Sequence, residues 1–215
     1  MNDAGFFNAV RRSLFGGRLN QSQVDGMNGI LTAFQTVGDG RRATLAYALA
    51  TAFHETGARM VPVREGFAAT DAGARRAVNK LAERRGAASA VARYALPQPP
   101  YGHVYYGRGH VQLTWLDNYA ASSADAGVDL VRYPDKMLEP VISARVLIKG
   151  LIDGRWNGRR KGIGHYEMLD GIPGLSAEEA AEARRTVNGQ DKAALIAGYA
   201  AQFDAALHLA GMSLE

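Results

Sequence analysis

The sequence contains no cysteine, which excludes disulfide bonds and thiolate metal sites. It has no run near the roughly 18 consecutive apolar residues that a membrane-spanning helix needs, so we expect no integral membrane segment. The amino-terminal stretch MNDAGFFNAVRRSLFGG places an acidic residue before a short apolar patch and arginines after it, which is not the order of a secretory signal peptide. These absences predict a protein that is made in soluble form in the cytoplasm.

Several catalytic motifs are also missing. His54 and Glu55 could begin the zinc-binding pattern HExxH, but position 58 is Ala58 instead of histidine. There is no G-x-S-x-G motif and no P-loop, and the pair Gly107 and Gly109 lacks the third glycine of a dinucleotide-binding fingerprint. We therefore expect neither a metal nor a cofactor, and no nucleophilic serine.

Length and charge set the broad class. A chain of 215 residues at 47% hydrophobic is long enough for one sizeable core, so we predict a single domain over 1–215. A net charge of +4 and a pI of about 9.4 suit an anionic partner, which could be nucleic acid, a membrane surface or an acidic polymer such as cell wall. The arginine-rich stretch 71–94 predicts one or two short helices that break near Gly86, with a solvated charged face.

The most informative stretch is ATLAYALATAFHETG, residues 43–57. Apolar residues recur there at helical spacing and predict one buried stripe, formed by Leu45, Ala48, Leu49, Ala52 and Phe53. Glu55 falls on the border of this stripe, in the last helical turn ahead of Gly57, a plausible C′ residue. Partial burial and the negative end of the helix dipole both favour a protonated carboxyl, as a general acid requires. The alternative is a boundary glutamate that is paired with an arginine.

A second carboxyl is expected close to the first. Pro62 prevents the helix from simply continuing, so Val61 to Glu65 should run extended and bring Glu65 back over the same site. Ten residues of spacing therefore indicate two carboxyls across a turn.

The rest of the chain is predicted to be mainly helical. Ser22 can cap one helix and Asp39 the next, and Ser176 with Glu179 forms a capping-box pattern that opens a helix ending at residues 188–189. The predicted buried faces are Val24, Met27, Ile30, Leu31 and Phe34, then Val141, Ala144, Leu147, Ile148 and Leu151, and finally Leu195, Ile196, Tyr199, Phe203 and Leu207.

Residues 101–119 are rich in aromatic side chains and predict a short strand or hairpin that lines a groove, with Val111 and Leu113 alternating. Aromatic rings can stack on sugar rings, while Gln112, Thr114 and Asn118 can hydrogen-bond sugar hydroxyls or a water molecule.

Three motifs carry a family resemblance: AFHETG (52–57), YYGRGHVQLTWLDNY (105–119) and RRTVNG (184–189). Together they resemble the glycoside hydrolase family 19 chitinases, and more closely the phage endolysins of this lysozyme-like superfamily, from about residue 22 to 207. Two differences stand out: His110 occupies a position where the family usually has proline, and Gly-Phe follows Glu65 where endolysins tend to have Asn-Leu.

The resemblance implies a mainly α, lysozyme-like fold of two lobes, with a small β hairpin lining the cleft between them. It implies that Glu55 protonates the glycosidic oxygen, that Glu65 activates a water and that Thr114 helps to hold this water. The substrate-binding residues that we expect are His54, Tyr105, Tyr106, Gln112, Asn118 and Asn188.

Our leading hypothesis is an inverting glycosidase that cleaves the β-1,4 bonds of bacterial peptidoglycan, with carboxyls roughly 6.5 to 9.5 Å apart. We expect a monomer without a wall-binding module and without a nucleic-acid partner. It would be made in the host cytoplasm and reach the periplasm and cell wall through a separate membrane pore. Alternatives are a chitinase, an inactive wall-binding or virion protein, and a basic nucleic-acid binder.

Positive charge near the groove is consistent with peptidoglycan. We expect Arg59, Arg64, Arg108 and the basic turn 155–161 to lie near the peptide carboxylates of the substrate. The alternative is that these cations pair with nearby acids in the protein.

Overall fold

The computed structural model describes residues 2–156, 158, 160–167, 174–187 and 189–212. Its helices are α1 (Asp3–Ser13), α2 (Gln21–Val37), α3 (Arg42–Glu55), α4 (Asp71–Arg85), α5 (Ala90–Tyr94), α6 (Leu116–Ala126), α7 (Pro140–Asp153), α8 (Ala177–Glu182) and α9 (Ala193–Leu209). Two short strands are β1 (Val63–Arg64) and β2 (Arg108–Gly109). This architecture confirms the predicted mainly α, lysozyme-like fold.

Helix α3 is the axis of the main hydrophobic core. Every residue from Arg42 to Phe53 is buried, because α9 packs along one side of the helix and α2 and α7 cover others. The prediction of a single buried stripe was therefore too narrow, since the period of one helix does not show how many neighbours surround it. Only the carboxyl end of α3, with His54 and Glu55, reaches the protein surface.

A Schellman motif ends α3 directly after Glu55. The amide of Gly57 donates to the carbonyl of His54 (3.1 Å), and the amide of Ala58 donates to the carbonyl of Phe53 (2.7 Å). Gly57 has a φ of +56°, a conformation that favours glycine, which confirms it as the C′ residue. The motif fixes Glu55 in the last turn of a rigid helix.

Capping differs in part from the predictions. Asn20, and not Ser22, caps α2, because its side chain forms a reciprocal capping box with Gln23. Asp39 accepts hydrogen bonds just before α3, although the N-cap position itself belongs to Arg41. The capping box of Ser176 and Glu179 is confirmed.

Three further predictions about helices need correction. Helix α8 ends at Glu182 and continues as a 3₁₀ turn over Ala183–Thr186, so the helix ends before the predicted 188–189. Val141 (77% exposed) and Leu195 (45% exposed) lie on the outside of their helices. Each is the first member of a set of apolar residues whose later members face the core, so helical periodicity alone did not exclude it from the predicted buried face.

The two-stranded sheet joins distant parts of the chain. β1 pairs antiparallel with β2, with Val63 opposite Gly109 and Arg64 opposite Arg108. The prediction of a local hairpin in 101–119 was therefore wrong in its pairing, although Arg108 and Leu113 do form an isolated bridge. The pairing brings Glu65, which directly follows β1, beside Gly107.

The side chains form two separate hydrophobic clusters, which we call the main body and the small lobe. The small lobe is built on α4 and α5, and its buried members are Ala74, Val78, Val91, Ala95, Val104 and Tyr106. The break between its helices at Gly86 is as predicted. None of the helices in the described ranges combines the length and apolarity that crossing a bilayer requires.

Candidate active site

A cleft of about 650 Å³ opens between the small lobe and the main body. Both predicted carboxylates line it. Its described lining is Glu55, Glu65, Arg85, Ala90, Val91, Tyr94, Gly107, Val111, Gln112, Leu113, Thr114, Trp115, Asn118, Trp156, Arg185, Val187 and Gly189. The site is therefore assembled from α3, the turn after β1, the small lobe, the loop around β2 and the segment after α8.

Glu55 is paired with Arg184, as the alternative interpretation of the sequence predicted. Arg184 Nη2 lies 2.8 Å from Glu55 Oε1, and the two side chains are 4% and 16% exposed. The Nε and Nη1 atoms of Arg184 are buried without a partner in the described part of the chain. Arg184 thus compensates the charge of Glu55 in the resting site.

Glu65 is held at both carboxylate oxygens. Tyr94 donates its hydroxyl hydrogen to Oε1 (2.8 Å), and the backbone amide of Gly107 donates to Oε2 (2.8 Å). Burial, the charge of Glu65 and this hydrogen bond raise the pKa of Tyr94, so the phenol keeps its proton and remains a donor. Two donors, one on each oxygen, therefore fix the orientation of the Glu65 carboxylate.

The sequence Gly-Arg-Gly at 107–109 builds the wall that carries these contacts. Arg108 is 2% exposed and donates from Nε to Asp135 (2.8 Å) and from Nη1 to the carbonyl of Val104 (3.1 Å) and the hydroxyl of Tyr119 (3.1 Å). A Cβ on residue 107 would lie 2.8 Å from the side-chain oxygen of Gln112. Glycine at this position therefore lets Gln112 lie against the wall.

Tyr105 and Tyr106 lie behind this wall and not in the cleft, against the prediction that they bind substrate. Both are buried, and their hydroxyls donate to the carbonyl of Val131 (2.8 Å) and to Asp71 (2.9 Å). The Arg108 guanidinium stacks 3.6 Å from the Tyr106 ring centroid. Their rings support the Arg108 contacts, so neither is among the described residues that line the cleft.

Gln112, Thr114 and Asn118 do line the cleft, as predicted. Gln112 donates to the carbonyls of Val63 (3.0 Å) and Gly109 (3.2 Å), which fastens β1 to the loop after β2. Thr114 donates to the carbonyl of Gln112 (2.8 Å), and Asn118 donates to the carbonyl of Thr114 (2.9 Å). The Thr114 hydroxyl oxygen keeps its capacity to accept a hydrogen from water.

The structure does not support the predicted substrate contact of His54, and it does not describe Asn188. His54 is half-buried next to Tyr199 (ring centroids 6.5 Å apart) and is not part of the described cleft lining, so its predicted substrate contact has no support in this geometry. Burial lowers the pKa of His54 despite the adjacent Glu55 charge, which raises it. Asn188 lies outside the described residues. Within the described ranges, no group of three His, Asp or Glu side chains could hold a metal ion.

Two tryptophans on the cleft were not singled out from the sequence. Trp115 is 37% exposed, packs edge-on against Tyr94 (5.3 Å between ring centroids) and has a φ of +77°. Trp156 donates from its indole to Ser122 (3.0 Å). Both offer aromatic surface of the kind that stacks on sugars. Trp115 lies inside the motif 105–119, so its position was a usable signal.

Four of the arginines that we expected near the substrate are engaged elsewhere, whereas Arg159 lies outside the described residues. Arg64 pairs with Asp135 (2.7 Å), and Arg108 is fully buried. Arg59 stacks on the ring of Phe67 (4.0 Å). In the turn 155–161, Arg155 pairs with Asp125 and Asp153. The alternative of internal pairing thus holds for these side chains, except that Arg59 pairs with a ring.

Two carboxylates on the walls of one cleft, one beside a charge-compensating arginine and one held by two donors, are an arrangement typical of glycoside hydrolases. The family model described as chitinase class I matches residues 24–152, more than half of the chain, and the chain therefore belongs to glycoside hydrolase family 19. It is a chitinase-like enzyme that hydrolyses glycosidic bonds. Comparison with curated proteins and with solved structures gives no match.

Proposed function

We propose that this glycosidase acts on bacterial peptidoglycan as an endolysin and cuts the β-1,4 bonds between its amino sugars with inversion. The observation that carries the proposal is the arrangement of Glu55 and Glu65 in one cleft, each with its own partners. The two settings differ, as acid and base roles require. The endolysin part of the proposal rests in addition on the resemblance of the three sequence motifs to phage endolysins.

In this mechanism Glu55 is the general acid and Glu65 the general base. Glu55 protonates the leaving oxygen, while Glu65 removes a proton from a water that Thr114 helps to hold. Glu55 must be protonated when it acts, so the sugar chain has to displace or weaken the contact with Arg184. A bound chain that excludes water from the cleft favours the neutral acid, because burial destabilises a carboxylate. Gln112, Asn118 and Asn188 are the proposed sugar ligands.

A chitin polymer is the second candidate substrate, because the matching family model is described as chitinase class I. The chemistry would be the same, and the choice depends on how the cleft treats the acidic substituents of the glycan. We further propose that the protein acts as a monomer, and that a phage-encoded pore releases it from the host cytoplasm to the periplasm.

The test compares Glu55→Gln with the parent enzyme on purified peptidoglycan. Gln keeps the size of the side chain but cannot supply a proton, so we expect activity to fall by about 10² to 10⁴. Glu83→Gln, an exposed acid on α4 outside the cleft lining, is the matched control and should keep the parent rate. Unchanged lysis by Glu55→Gln would refute the acid assignment.

Mass spectrometry of the digest identifies the bond that is cut. The proposal requires new reducing ends on the glycan with intact peptide stems. Cut stems on intact glycan chains would overturn it, and chitin turnover equal to that of wall would move the enzyme to the chitinase class.

A further inference from the structure

The cleft carries two further arginines, one from the arginine-rich stretch 71–94 and one from the motif RRTVNG (184–189). Arg85 and Arg185 both line it, whereas most of the cations expected near the substrate are buried or paired elsewhere. Arg85 is the last residue of α4 in the small lobe, and Arg185 lies in the 3₁₀ turn after α8 in the main body. Guanidinium groups therefore face the cleft from both of its sides.

Both arginines are available to a ligand. Arg85 is exposed and forms no ion pair or side-chain hydrogen bond with the described residues. Arg185 contacts Glu182 (2.8 Å), but these side chains are 41% and 52% exposed, so the pair is weak and readily exchanged. Guanidinium is the cation best suited to bind carboxylate through two parallel hydrogen bonds.

The charge balance of the cleft also favours an anionic ligand. Its acidic lining residues are Glu55 and Glu65, and the charge of Glu55 is already compensated by the buried Arg184. With Glu55 balanced by Arg184, Glu65 is the one lining carboxylate in the described cleft that stands against Arg85 and Arg185, so the cleft keeps an excess of one guanidinium. A neutral chain of N-acetylglucosamine gains nothing from two exposed guanidiniums, whereas a glycan that carries carboxylates gains a contact on each wall.

We propose that Arg85 and Arg185 determine specificity by binding the carboxylate substituents of an acidic glycan from the two walls of the cleft. This inference rests on the proposed function, because it names the feature of peptidoglycan that the cleft reads. The carboxylates are those of the peptide stems, or those of lactyl groups that bear no stem, and the two share one chemistry.

The test uses Arg85→Gln, Arg185→Gln and the double variant on two forms of one substrate. The first is purified wall glycan, and the second is the same glycan with its carboxylates converted to neutral methylamides by carbodiimide coupling. On native glycan, kcat/KM should fall about three- to tenfold for each single variant and further for the double variant. On the neutral form, the variants should match the parent enzyme.

Controls separate charge at the cleft from charge in general. Arg84→Gln removes a neighbouring exposed arginine of α4 that is outside the cleft lining, and it should behave as the parent on both substrates. An amidase hydrolyses the amide bond between the lactyl group and the peptide stem, so the product glycan has lost the stem carboxylates and gained lactyl carboxylates. Comparing it with the stem-bearing glycan distinguishes the two sources. Equal losses on native and neutral glycan, or an equal loss in Arg84→Gln, would overturn the inference.

Failure of the proposed function gives a different result. A parent enzyme that cleaves chitin polymers but not wall glycan refutes the peptidoglycan assignment. The same variants are then compared on carboxymethyl chitin and on uncharged glycol chitin. If the variants lose activity only on the carboxymethyl polymer, the arginine assignment is supported although the peptidoglycan assignment has failed. If the variants match the parent enzyme on both polymers, both assignments are refuted.

Discussion

The phenol of Tyr94, at the end of α5, is one of two groups that orient Glu65. Tyr94 reaches it from the small lobe, and the second oxygen of Glu65 meets the Gly107 amide. Because a hydrogen bond to a charged acceptor contributes about 1.5 to 3 kcal/mol, this phenol matters both to the geometry and to the charge of the base.

We expect Tyr94→Phe to lower kcat by about tenfold or more with little change in KM. Phenylalanine keeps the ring contact with Trp115 but removes the donor, so the Glu65 carboxylate loses one of the two hydrogen bonds that orient it. Kinetics on soluble peptidoglycan fragments measure both kcat and KM. Tyr101→Phe, on an exposed tyrosine outside the cleft lining, is the control. An unchanged kcat in Tyr94→Phe, or an equal loss in Tyr101→Phe, would contradict this role of Tyr94.

His110 is a buried titratable group outside the cleft. Its Nε2 lies 3.1 Å from the carbonyl of Met60 and must donate to it, while Nδ1 has no partner in the described structure. Burial lowers the pKa of His110 to about 4, so the folded protein rejects a proton that the unfolded chain accepts near pH 6.5. The free energy of unfolding therefore falls as the pH drops from about 6.5 to 4.

Comparison with His110→Gln isolates this contribution, since glutamine retains a donor toward Met60 and does not titrate. We expect the parent to be the more stable protein at pH 7 and its advantage to shrink as the pH falls to 4. Urea titrations at several pH values give the difference, in which the acidic groups common to both proteins cancel. A difference that is constant across this range would contradict the prediction.

How far the sequence predicts the site depends on the distance between partners. Glu55 and Glu65 are found from a helix period, a proline and a motif, all within a few turns of chain. Arg184 and Tyr94 are 129 and 29 residues from the acids that they contact, and no local pattern encodes those pairings. The prediction placed Tyr105 and Tyr106 in the cleft, but both are buried. The composition of an aromatic-rich loop does not show which of its rings pack inside the protein beside the buried Arg108.

Helix α3 supports the site because its side chains pack beneath it. The ring of Phe53 lies 5.1 Å from that of Phe15 and 4.8 Å from that of Tyr199, and it is 8% exposed. This one residue therefore connects the catalytic helix with α9 and with the segment after α1. Its predicted burial is confirmed, although the helix is enclosed on more sides than its sequence pattern indicated.

Phe53→Ala should lower the free energy of unfolding by about 3 to 5 kcal/mol, the usual cost of emptying such a site. Val141→Ala is the comparison, because this apolar helical residue is 77% exposed and should cost within about 0.5 kcal/mol. Denaturant titration of both variants measures the contrast. A loss under about 1 kcal/mol for Phe53→Ala would show that α3 is packed differently.

The cleft lies between the main body and the small lobe, and each of them positions one of the two proposed catalytic carboxylates. Glu55 belongs to the main body, whereas Glu65 is oriented by the small lobe. If a water stands between the sugar and Glu65, the product must form with inverted configuration. The sequence motifs led to this prediction.

NMR spectra recorded during the first minutes of hydrolysis, before the anomers equilibrate, should show the inverted anomer first. Glu65→Gln should lose activity as well, because the amide cannot accept the proton of the water. Initial retention of configuration would make Glu65 a nucleophile or a bystander. Full activity of Glu65→Gln would remove it from the mechanism.

Because the small lobe has a hydrophobic cluster separate from that of the main body, it can unfold locally while the main body stays folded. This lobe buries few apolar side chains, and local opening free energies follow such burial, so its amide hydrogens should exchange faster than those of α3. Each opening carries Tyr94 away from Glu65 and Arg85 away from the cleft. Heat inactivation would then begin as a reversible sub-global unfolding, at temperatures where the main body is still intact.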